Sequence, residues 1–325
     1  MTGARCDFLA NSMDLSICII THSQPVLLPQ CVAACISEIG RSQLAAEIII
    51  VDNASSDRYP ERLAAVSPMI RIHRNEENLG FGMANNIAIR ISRGRYVLIL
   101  NDDAVLQEGS LGLMVQRLDA DPTLAAVGPT FLNSDRSPQN DFMYLQFPRL
   151  RRVLCEHLLL ASALGKNRIT RSLFALGRKP WASPDWLAGA CLLVRREALD
   201  SVGLFDDGFY YLFEDTDLCW RFRKAGWHIA SVAEAQVVHY RSASYSKWVD
   251  CEQRLNLVRS TAYFFKKHSS PQKYFLVRLS LGGVLLIRTP FGILRWIGRG
   301  LSYEEVNDRT RANLRLVRSV LWDWR

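Results

Sequence analysis

Short apolar runs alternate with helical stretches through the first 120 residues, and this order is the strongest constraint on the fold. The apolar runs are bounded by polar residues, which suits strands buried on both faces of a sheet. We predict strands over 14–20, 47–53, 69–74 and 95–103. We predict helices over about 25–39, 57–66, 82–92 and 109–119. Strands that alternate with helices indicate a mostly parallel sheet with helices on both faces.

The second half of the chain is less regular. Residues 133–180 show no clear period, and we interpret them as a mobile or acceptor-facing segment. The pattern over 186–199 predicts a strand that turns into a short helix, and another helix is predicted from near residue 213 to Gly226. Two short strands, "HIASV" and "AQVVHY", and a helix over about 247–267 follow.

The basic charge of the chain belongs to its C-terminal tail. The net charge of the 325 residues is +8. Residues 266–325 hold 12 Lys or Arg against 4 Asp or Glu, and the other 265 residues are balanced at 28 each. We therefore divide the chain into an N-terminal extension (1–13), a main α/β domain (14–267) and a basic amphipathic helical tail (268–325).

The eight cysteines indicate a reducing compartment. They form no CxxC pair and no zinc spacing, and several lie in apolar runs, such as Cys18 and Cys191. They are therefore interpreted as small buried hydrophobes. No N-terminal segment matches a signal peptide, so a cytoplasmic location is expected.

Polar residues follow three of the predicted strands. Thr21 ends the first strand, Asp52-Asn53 the second and Asn101-Asp102-Asp103 the fourth. Ligands of such sheets bind beyond the carboxyl ends of the strands, so these residues predict a polar, anionic pocket. The Asp102-Asp103 pair fits a divalent cation that also contacts phosphate. A simple turn into the next helix is the alternative.

A glycine-rich segment and one histidine are less specific. The segment "NLGFGMANN" (78–86) is not GxGxxG and follows the third strand, so it is a poor match to a nicotinamide-binding fingerprint. Its glycines permit close approach of a ligand or a sharp turn before the helix. His239 ends a short strand and is either structural or a ligand of a cation at Asp102-Asp103.

Three carboxylates lie within four positions of the stretch "FEDTDLCWRFRKAGW" (213–227), namely Glu214, Asp215 and Asp217. Acidic residues are favoured in the first turn of a helix, where they face the unpaired N–H groups. Asp217 is also spaced to pair with Arg221 across one turn. This stretch alone does not separate a structural role from a catalytic one.

The combined order of segments resembles family-2 glycosyltransferases with the GT-A fold. It is similar to their bacterial rhamnosyltransferase-like branch, which builds surface polysaccharides. The resemblance covers roughly residues 14–267 and implies a Rossmann-like α/β sheet with a C-terminal helical extension. The segments that carry it are "SICIITHSQP", "EIIIVDNASSD", "NEENLGFGMANN", "RYVLILNDDA", "WLAGACLLVRREAL", "GLFDDGFYYLFEDTDLCWRFRKAGW" and "VVHYRSAS".

The resemblance implies a role for each matching residue. The donor-binding residues would be Thr21, Asp52, Asn53, Asn78, Gly80, Asn86 and Asp102. Asp103 and His239 would bind Mg²⁺ or Mn²⁺; the first acid of the family's DxD motif is Asn101 here, so Asp103 is preferred over Asp102 as a ligand. Asp215 would be the catalytic base. Acceptor-binding residues would be Trp186, Glu214 and Asp217.

These roles agree with the chemistry of sugar transfer. A divalent cation offsets the charge that builds on the leaving diphosphate, and a carboxylate removes the proton of the attacking hydroxyl. A single in-line displacement would invert the anomeric centre. Repulsion from Glu214 and Asp217 should raise the proton affinity of Asp215.

The tail segment 273–300 is apolar but interrupted by arginines. Its longest uninterrupted run, 279–287, is too short to span a bilayer. We expect a peripheral contact with the inner face of the plasma membrane, since basic charge attracts anionic lipid and lipid-linked acceptors are common in the family. Packing of the tail on the catalytic domain is the alternative. Nucleic acid is not expected as a partner, because no binding motif accompanies the charge.

Two other functions stay open. A nucleotidyltransferase would have a Gly-rich loop with Arg and Lys after the first strand, and "THSQP" lacks it. A degenerate sugar-nucleotide-binding protein would lose Asp103, Asp215 or His239, and all three are present. The rhamnosyltransferase branch suggests a dTDP-rhamnose donor, UDP-hexoses stay open, and the acceptor is a glycan or a lipid-linked sugar.

Overall fold

The computed structural model describes residues 13–56, 59–139, 146–151, 153, 184–209, 212–240, 251–297 and 302–321. Most of the segment predicted to be mobile or acceptor-facing, and the N-terminal extension apart from Met13, lie outside the described residues. The described chain forms two compact units. The first contains all of the strands, and the second contains the three C-terminal helices.

The first unit is built on one eight-stranded sheet. Its strands are β1 (Leu15–Thr21), β2 (Ala46–Asp52), β3 (Ile70–Arg74), β4 (Tyr96–Asn101), β5 (Ala104–Leu106), β6 (Leu124–Leu132), β7 (Cys191–Arg195) and β8 (His228–His239). The strand order is β3-β2-β1-β4-β7-β6-β8-β5. Strands β1 to β4 pair in parallel, as predicted, whereas β7 is antiparallel to both of its neighbours.

Helices pack on both faces of this sheet. They are α1 (Leu28–Ser42), α2 (Tyr59–Leu63), α3 (Gly80–Ile91), α4 (Ser110–Ala120), α5 (Arg196–Val202) and α6 (Glu214–Lys224). Alternate residues of a strand point to opposite faces. In β1, Ile17 and Ile19 join the core on one face, and Cys18 joins the core on the other. The prediction of strands buried on both faces is therefore confirmed.

The described cysteines of the first unit are packed inside it. Five are fully buried and unpaired, namely Cys18, Cys31, Cys35, Cys191 and Cys219. Burial in apolar surroundings raises the pKa of the Cys18 and Cys219 thiols to about 12, so these groups stay neutral. The interpretation of these cysteines as buried hydrophobes is confirmed.

Two elements differ from the sequence pattern. Strand β6 has no counterpart among the predicted strands, although its apolar run lies between two other strands of the sheet. The pattern predicts two strands over "HIASV" and "AQVVHY", and that prediction is wrong because one strand, β8, spans both. Its register against β6 jumps from Val232 to Gln236, so the intervening residues form a bulge and do not end the strand.

The second unit contains α7 (Cys251–His268), α8 (Pro271–Ile297) and α9 (Tyr303–Leu321). The three helices contact one another. The predicted division of the chain at residue 267 stays a prediction. In the structure, α7 belongs to the same compact unit as α8 and α9. In the part of the chain that the structure describes, no helix is long and apolar enough to cross a membrane.

Candidate active site

The three polar strand ends meet at one edge of the sheet. Strands β2, β1 and β4 are neighbours, and their register aligns Thr21 with Asp52 and Ile20 with Asn101. The backbone N–H of Asn53 donates to the carbonyl of Thr21 at 2.8 Å. The predicted polar edge is therefore present in the fold.

Asp52 is held by an arginine that the sequence pattern does not single out. The carboxylate is fully buried, and its Oδ2 accepts from Nη1 of Arg74 at 2.6 Å. Its Oδ1 accepts from the N–H of Ser55 at 2.9 Å, and Nη2 of Arg74 donates to the Ser55 carbonyl at 2.8 Å. Arg74 ends β3, so the pair fixes the turn after β2 against the neighbouring strand.

Asparagine side chains hold the glycine-rich segment to the same edge. Asn53 donates through Nδ2 to Oδ1 of Asn78 at 2.8 Å and accepts through Oδ1 from Nδ2 of Asn75 at 2.9 Å. The same oxygen of Asn78 accepts from the N–H of Gly80, which has φ of 77° and begins α3. A left-handed residue at this turn favours glycine. The donor-binding roles of these residues stay predictions.

Asn86 makes its described hydrogen bonds within the protein. Its Nδ2 donates to the carbonyl of Phe205 at 2.8 Å, and its Oδ1 accepts from the N–H of Phe205 at 2.9 Å. Both bonds are buried and join α3 to the loop after α5. Donor binding by Asn86 is untested, and the geometry gives it a structural role.

Asp103 and His239 lie beside each other, and Asp102 precedes Asp103 in the chain. Strand β5 pairs with β8 so that Ala104 faces His239, and Oδ1 of Asp103 lies 3.3 Å from Nε2 of His239. Both side chains are buried. Loss of solvation and repulsion from Asp103 raise the pKa of Asp102 to about 7, and the nearby polar groups of Thr21 and the His22 backbone oppose this shift.

Two of the predicted ligands for a cation are thus together. Among the described residues, no group of three or more His, Cys, Asp or Glu side chains is arranged to hold a metal ion. Asp103 and His239 form a pair with one oxygen and one nitrogen ligand. A cation held there would need the phosphates of a bound substrate or water for the rest of its coordination shell.

Asp215 occupies the first turn of α6, as predicted for this acidic stretch. The residue as a whole is partly buried, and its carboxylate accepts three hydrogen bonds. The donors are the N–H of Gly189 (3.0 Å, to Oδ2), the N–H of Thr216 (2.6 Å, to Oδ1) and the hydroxyl of Thr216 (3.2 Å, to Oδ1). Burial raises the pKa of Asp215, and these hydrogen bonds act against it.

Repulsion within the acidic stretch raises the pKa of Glu214, whereas it was expected to raise that of Asp215. Burial is the main cause of the raised pKa of Asp215, not repulsion by its neighbours. Glu214 is the more deeply buried of the two, and burial followed by repulsion from Asp215 raises its pKa to about 8. At neutral pH, Glu214 therefore carries a proton beside Asp215.

Asp217 and Trp186 have partners inside the protein. Asp217 is fully buried, and its Oδ2 accepts from Nε of Arg221 at 2.7 Å, as the spacing predicts. Arg221 also donates to three carbonyls at the end of α5, so the pair anchors α6. Trp186 donates through Nε1 to the carbonyl of Gln146 at 3.1 Å. Acceptor binding by Asp217 and Trp186, and by Glu214, stays a prediction.

One turn connects the two halves of the site. Gly189 donates to Asp215, and the carbonyl of the next residue, Ala190, accepts from the N–H of Asn101 at 3.0 Å. Gly189 and Ala190, the two residues before β7, therefore bond to the first turn of α6 and to the end of β4, respectively. The sequence pattern gives no signal for this role of Gly189.

Comparison with known families agrees with this arrangement. The model of the family "Glycosyl transferase family 2" matches residues 16–182, which is just over half of the chain. The chain belongs to glycosyl transferase family 2. The resemblance inferred from the seven segments is confirmed, and the activity of this enzyme class is sugar transfer.

Named relatives of this glycosyltransferase include rhamnosyltransferases. An N-acetylglucosaminyl-diphospho-decaprenol L-rhamnosyltransferase of Mycobacterium tuberculosis is 30% identical over 256 residues, which cover 74% of this chain and 81% of that protein. Rhamnosyltransferase WbbL of Escherichia coli is 24% identical, with 60% and 74% covered. A hexosyltransferase of low-salt glycan biosynthesis, Agl10 of Haloferax volcanii, is 21% identical, with 76% and 77% covered.

Solved glycosyltransferases share the fold. The mannosyltransferase PcManGT of Pyrobaculum calidifontis, in complex with GDP-Man and Mn²⁺, aligns with a TM-score of 0.57 at 18% identity and covers 97% of this chain and 89% of that one. GalNAc-T7 with UDP, GalNAc and Mn²⁺ aligns with a TM-score of 0.54 at 15% identity. The alignment covers 78% of this chain and about half, 51%, of the GalNAc-T7 chain. The predicted GT-A fold class is confirmed.

Proposed function

We propose that the chain is an inverting glycosyltransferase that moves a sugar from a nucleoside diphosphate to a hydroxyl of a glycan or lipid-linked acceptor. The donor that we favour is dTDP-rhamnose, with UDP-linked sugars as the alternative. Both the Mycobacterium tuberculosis and the Escherichia coli relatives are rhamnosyltransferases, which supports rhamnose, and the decaprenol-linked sugar in the name of the former supports a lipid-linked acceptor. Polysaccharide biosynthesis for the cell envelope is the process that this activity would serve.

The observation that carries the proposal is that Asp215 and the end of β4 lie close together. Gly189 and Ala190 connect them through two hydrogen bonds. A carboxylate that takes a proton from an acceptor hydroxyl must lie near the leaving diphosphate, because the hydroxyl attacks the carbon that the diphosphate leaves. The polar edge of the sheet suits the nucleoside diphosphate, and Asp215 suits the acceptor.

Asp215 would act as the general base. Its raised pKa brings it closer to neutral pH than an ordinary carboxyl, and this improves its match to the proton it removes. The donors on both of its oxygens fix its orientation. Glu214, neutral at pH 7, adds no second negative charge where the acceptor oxygen gains charge. Attack in line with the leaving group would invert the anomeric centre.

Asp103 and His239 fit a divalent cation, Mg²⁺ or Mn²⁺. A carboxylate oxygen and an imidazole nitrogen suit Mn²⁺, and Mg²⁺ is commonly bound by carboxylates and substrate phosphates. Both PcManGT and GalNAc-T7 were solved with Mn²⁺, which supports this choice. When bound, the cation would stabilise the negative charge of the leaving diphosphate.

The C-terminal unit would contact the inner face of the plasma membrane. Four large apolar side chains of α8 are exposed, namely Phe275 (61%), Leu276 (43%), Leu279 (55%) and Leu286 (48%). Their spacing puts them on one side of the helix. The surplus of eight basic residues in 266–325 complements anionic lipid. An anionic bilayer is therefore the occupant that we propose for this face.

Sedimentation with vesicles tests the membrane contact. We expect the wild type to bind vesicles that contain anionic phospholipid and not vesicles of phosphatidylcholine alone. Leu279→Asp should weaken binding, whereas Leu314→Asp on α9, which is also exposed, should not. Equal binding by wild type and Leu279→Asp would contradict the proposed contact through α8.

Calorimetric titration with dTDP and UDP tests the donor site. The titration is done with Mn²⁺ or Mg²⁺, with EDTA, and again on Asp103→Ala. Binding that needs the metal and is lost in the variant supports a diphosphate-metal site. The preferred nucleotide, dTDP or UDP, narrows the range of possible donor sugars. Equal nucleotide affinity with metal and with EDTA, and in the wild type and Asp103→Ala, would contradict the metal-assisted mechanism.

A further inference from the structure

Gln139 contacts His239 with both ends of its side-chain amide. Gln139 is 3% exposed and lies just beyond β6, where its N–H donates to the carbonyl of Phe131 at 2.8 Å. Its Nε2 donates to the carbonyls of Leu132 at 3.1 Å and His239 at 2.6 Å. Its Oε1 lies 3.3 Å from Nδ1 of the His239 ring. No feature of the sequence pattern singles out this residue.

The two backbone carbonyls determine which way the amide points. A carbonyl oxygen accepts hydrogen bonds and cannot donate them. The carbonyls of Leu132 and His239 must therefore face the amide NH₂, because the amide oxygen would repel both. Hydrogen-bond partners of this kind are the basis on which the oxygen and nitrogen of a glutamine are distinguished. Oε1 of Gln139 consequently faces the imidazole.

The orientation of the amide in turn determines the tautomer of the neutral imidazole. Only a protonated Nδ1 can donate to Oε1 of Gln139, so the proton of neutral His239 belongs on Nδ1. Nε2 then carries a lone pair, and it is Nε2 that lies 3.3 Å from Oδ1 of Asp103. Two acceptor atoms that face each other at this distance are stabilised by a cation near both.

A proton on Nε2 is the competing arrangement. The carboxylate of Asp103 attracts a proton to Nε2, and this proton would block the lone pair that a metal ion needs. The bond from Nδ1 to Gln139 favours the opposite tautomer. Polar partners of this kind orient histidine ligands in many metal sites.

We propose that Gln139 is a positioning residue that holds His239 in the Nδ1–H tautomer and keeps Nε2 available to a divalent cation beside Asp103. This inference rests on the proposed metal site. It adds a residue after β6, Gln139, that orients the metal ligand His239.

Mn²⁺ titration in the presence of dTDP or UDP tests the proposal. Gln139→Met keeps the length of the side chain and removes both hydrogen-bonding groups, and we expect it to weaken Mn²⁺ binding about 10- to 100-fold. Gln107→Met is the matched control, since Gln107 bonds Val105 and Arg136 and is not among the described partners of His239. Its Mn²⁺ affinity should equal that of the wild type. Equal affinity in Gln139→Met and the wild type would overturn the proposal.

The ¹⁵N shifts of the imidazole ring provide a second measurement that requires neither metal nor the Gln139→Met variant. They are recorded on the metal-free wild type at alkaline pH, where imidazole is neutral, with assignment from His239→Ala. Protonation at Nδ1 is expected, and protonation at Nε2 would overturn the proposal. If the wild type binds no Mn²⁺ with either nucleotide, the proposed metal site fails, and these shifts still decide whether Gln139 sets the tautomer.

Discussion

The backbone N–H of Gly189 donates a hydrogen bond to Oδ2 of Asp215 at 3.0 Å, and the ring of Phe81 leaves little room for a side chain at Gly189. A Cβ atom added to Gly189 would lie 3.1 Å from the ring of Phe81 and 3.6 Å from Cβ of Asp215. The ring of Phe81 packs edge-on against Phe205. Asp215 is thus positioned by a close approach of backbone and aromatic ring that suits glycine.

Gly189→Ala should lower both stability and turnover. The added methyl requires the ring of Phe81 beside Asp215 to move by a few tenths of an ångström, and overpacking of this kind costs about 1–3 kcal/mol. Chemical denaturation and kcat measure the two effects. Gly40→Ala is the control, because Gly40 lies in α1 with no atom within 4 Å of the added Cβ. It should stabilise the protein by up to about 1 kcal/mol. Full activity of Gly189→Ala would contradict a tightly positioned Asp215.

Thr216→Val should move the acidic limb of the pH–rate profile to higher pH. The hydroxyl of Thr216 lowers the pKa of Asp215, because it donates to the charged carboxylate. Loss of this donor raises the pKa further, and the base then becomes protonated at a higher pH. The profile of kcat/KM reports this limb. Thr216→Ser keeps the donor and should restore the wild-type profile, whereas an unchanged limb in Thr216→Val would argue against Asp215 as the base.

Glu214→Gln should remove a pH dependence of stability. The pKa of Glu214 is about 8 in the folded protein, above its ordinary value, so the folded state binds the proton more tightly than the unfolded chain. The stabilisation is complete at acidic pH and is lost as pH rises toward 8, with a slope of at most about 1.4 kcal/mol per pH unit. Urea denaturation of the wild type between pH 5 and about 8 measures this slope. A slope of equal size in Glu214→Gln would contradict a buried, protonated Glu214.

Asn86→Ala should destabilise the protein without changing donor affinity. The substitution leaves the buried N–H and carbonyl of Phe205 without the side-chain partners in Asn86, and each such group costs about 1–3 kcal/mol. Denaturation and nucleotide titration separate the two effects. Asn133→Ala, which removes one exposed bond to Ser137, is the control and should stay within about 0.5 kcal/mol of the wild type. A large loss of nucleotide affinity in a stable Asn86→Ala protein would favour the donor-binding role.

The sequence was most informative where structure depends on local pattern. Strands β1, β2 and β4 are largely continuous apolar runs with polar ends, and both features identify a buried parallel sheet and its ligand-binding edge. The pairing of Asp217 with Arg221 also follows from spacing alone. By contrast, β6 contains Gly128 and Pro129, which weaken a strand signal, and it is identified only by its neighbours in the sheet.

Long-range partners account for most of what the sequence did not reveal. Arg74 is 22 residues from Asp52, and Gln139 is 100 residues from His239. No periodicity connects such pairs, because the sheet and not the local chain brings them together. The leading cause of the raised pKa of Asp215 is burial, which is also a property of the complete fold. The resemblance to glycosyltransferases supplied the roles of the residues, but not these supporting contacts.

Transfer of labelled sugar by wild type and Asp215→Asn is the most direct test of the proposed function. The donors are dTDP-rhamnose and UDP-linked sugars, the acceptor is a polyprenyl diphosphate-linked sugar, and NMR of the product gives its anomeric configuration. We expect the wild type to form a product of inverted configuration and Asp215→Asn to turn over about 10²- to 10⁴-fold more slowly with unchanged donor affinity. Transfer at the wild-type rate by Asp215→Asn, or a product of retained configuration, would contradict the proposed mechanism.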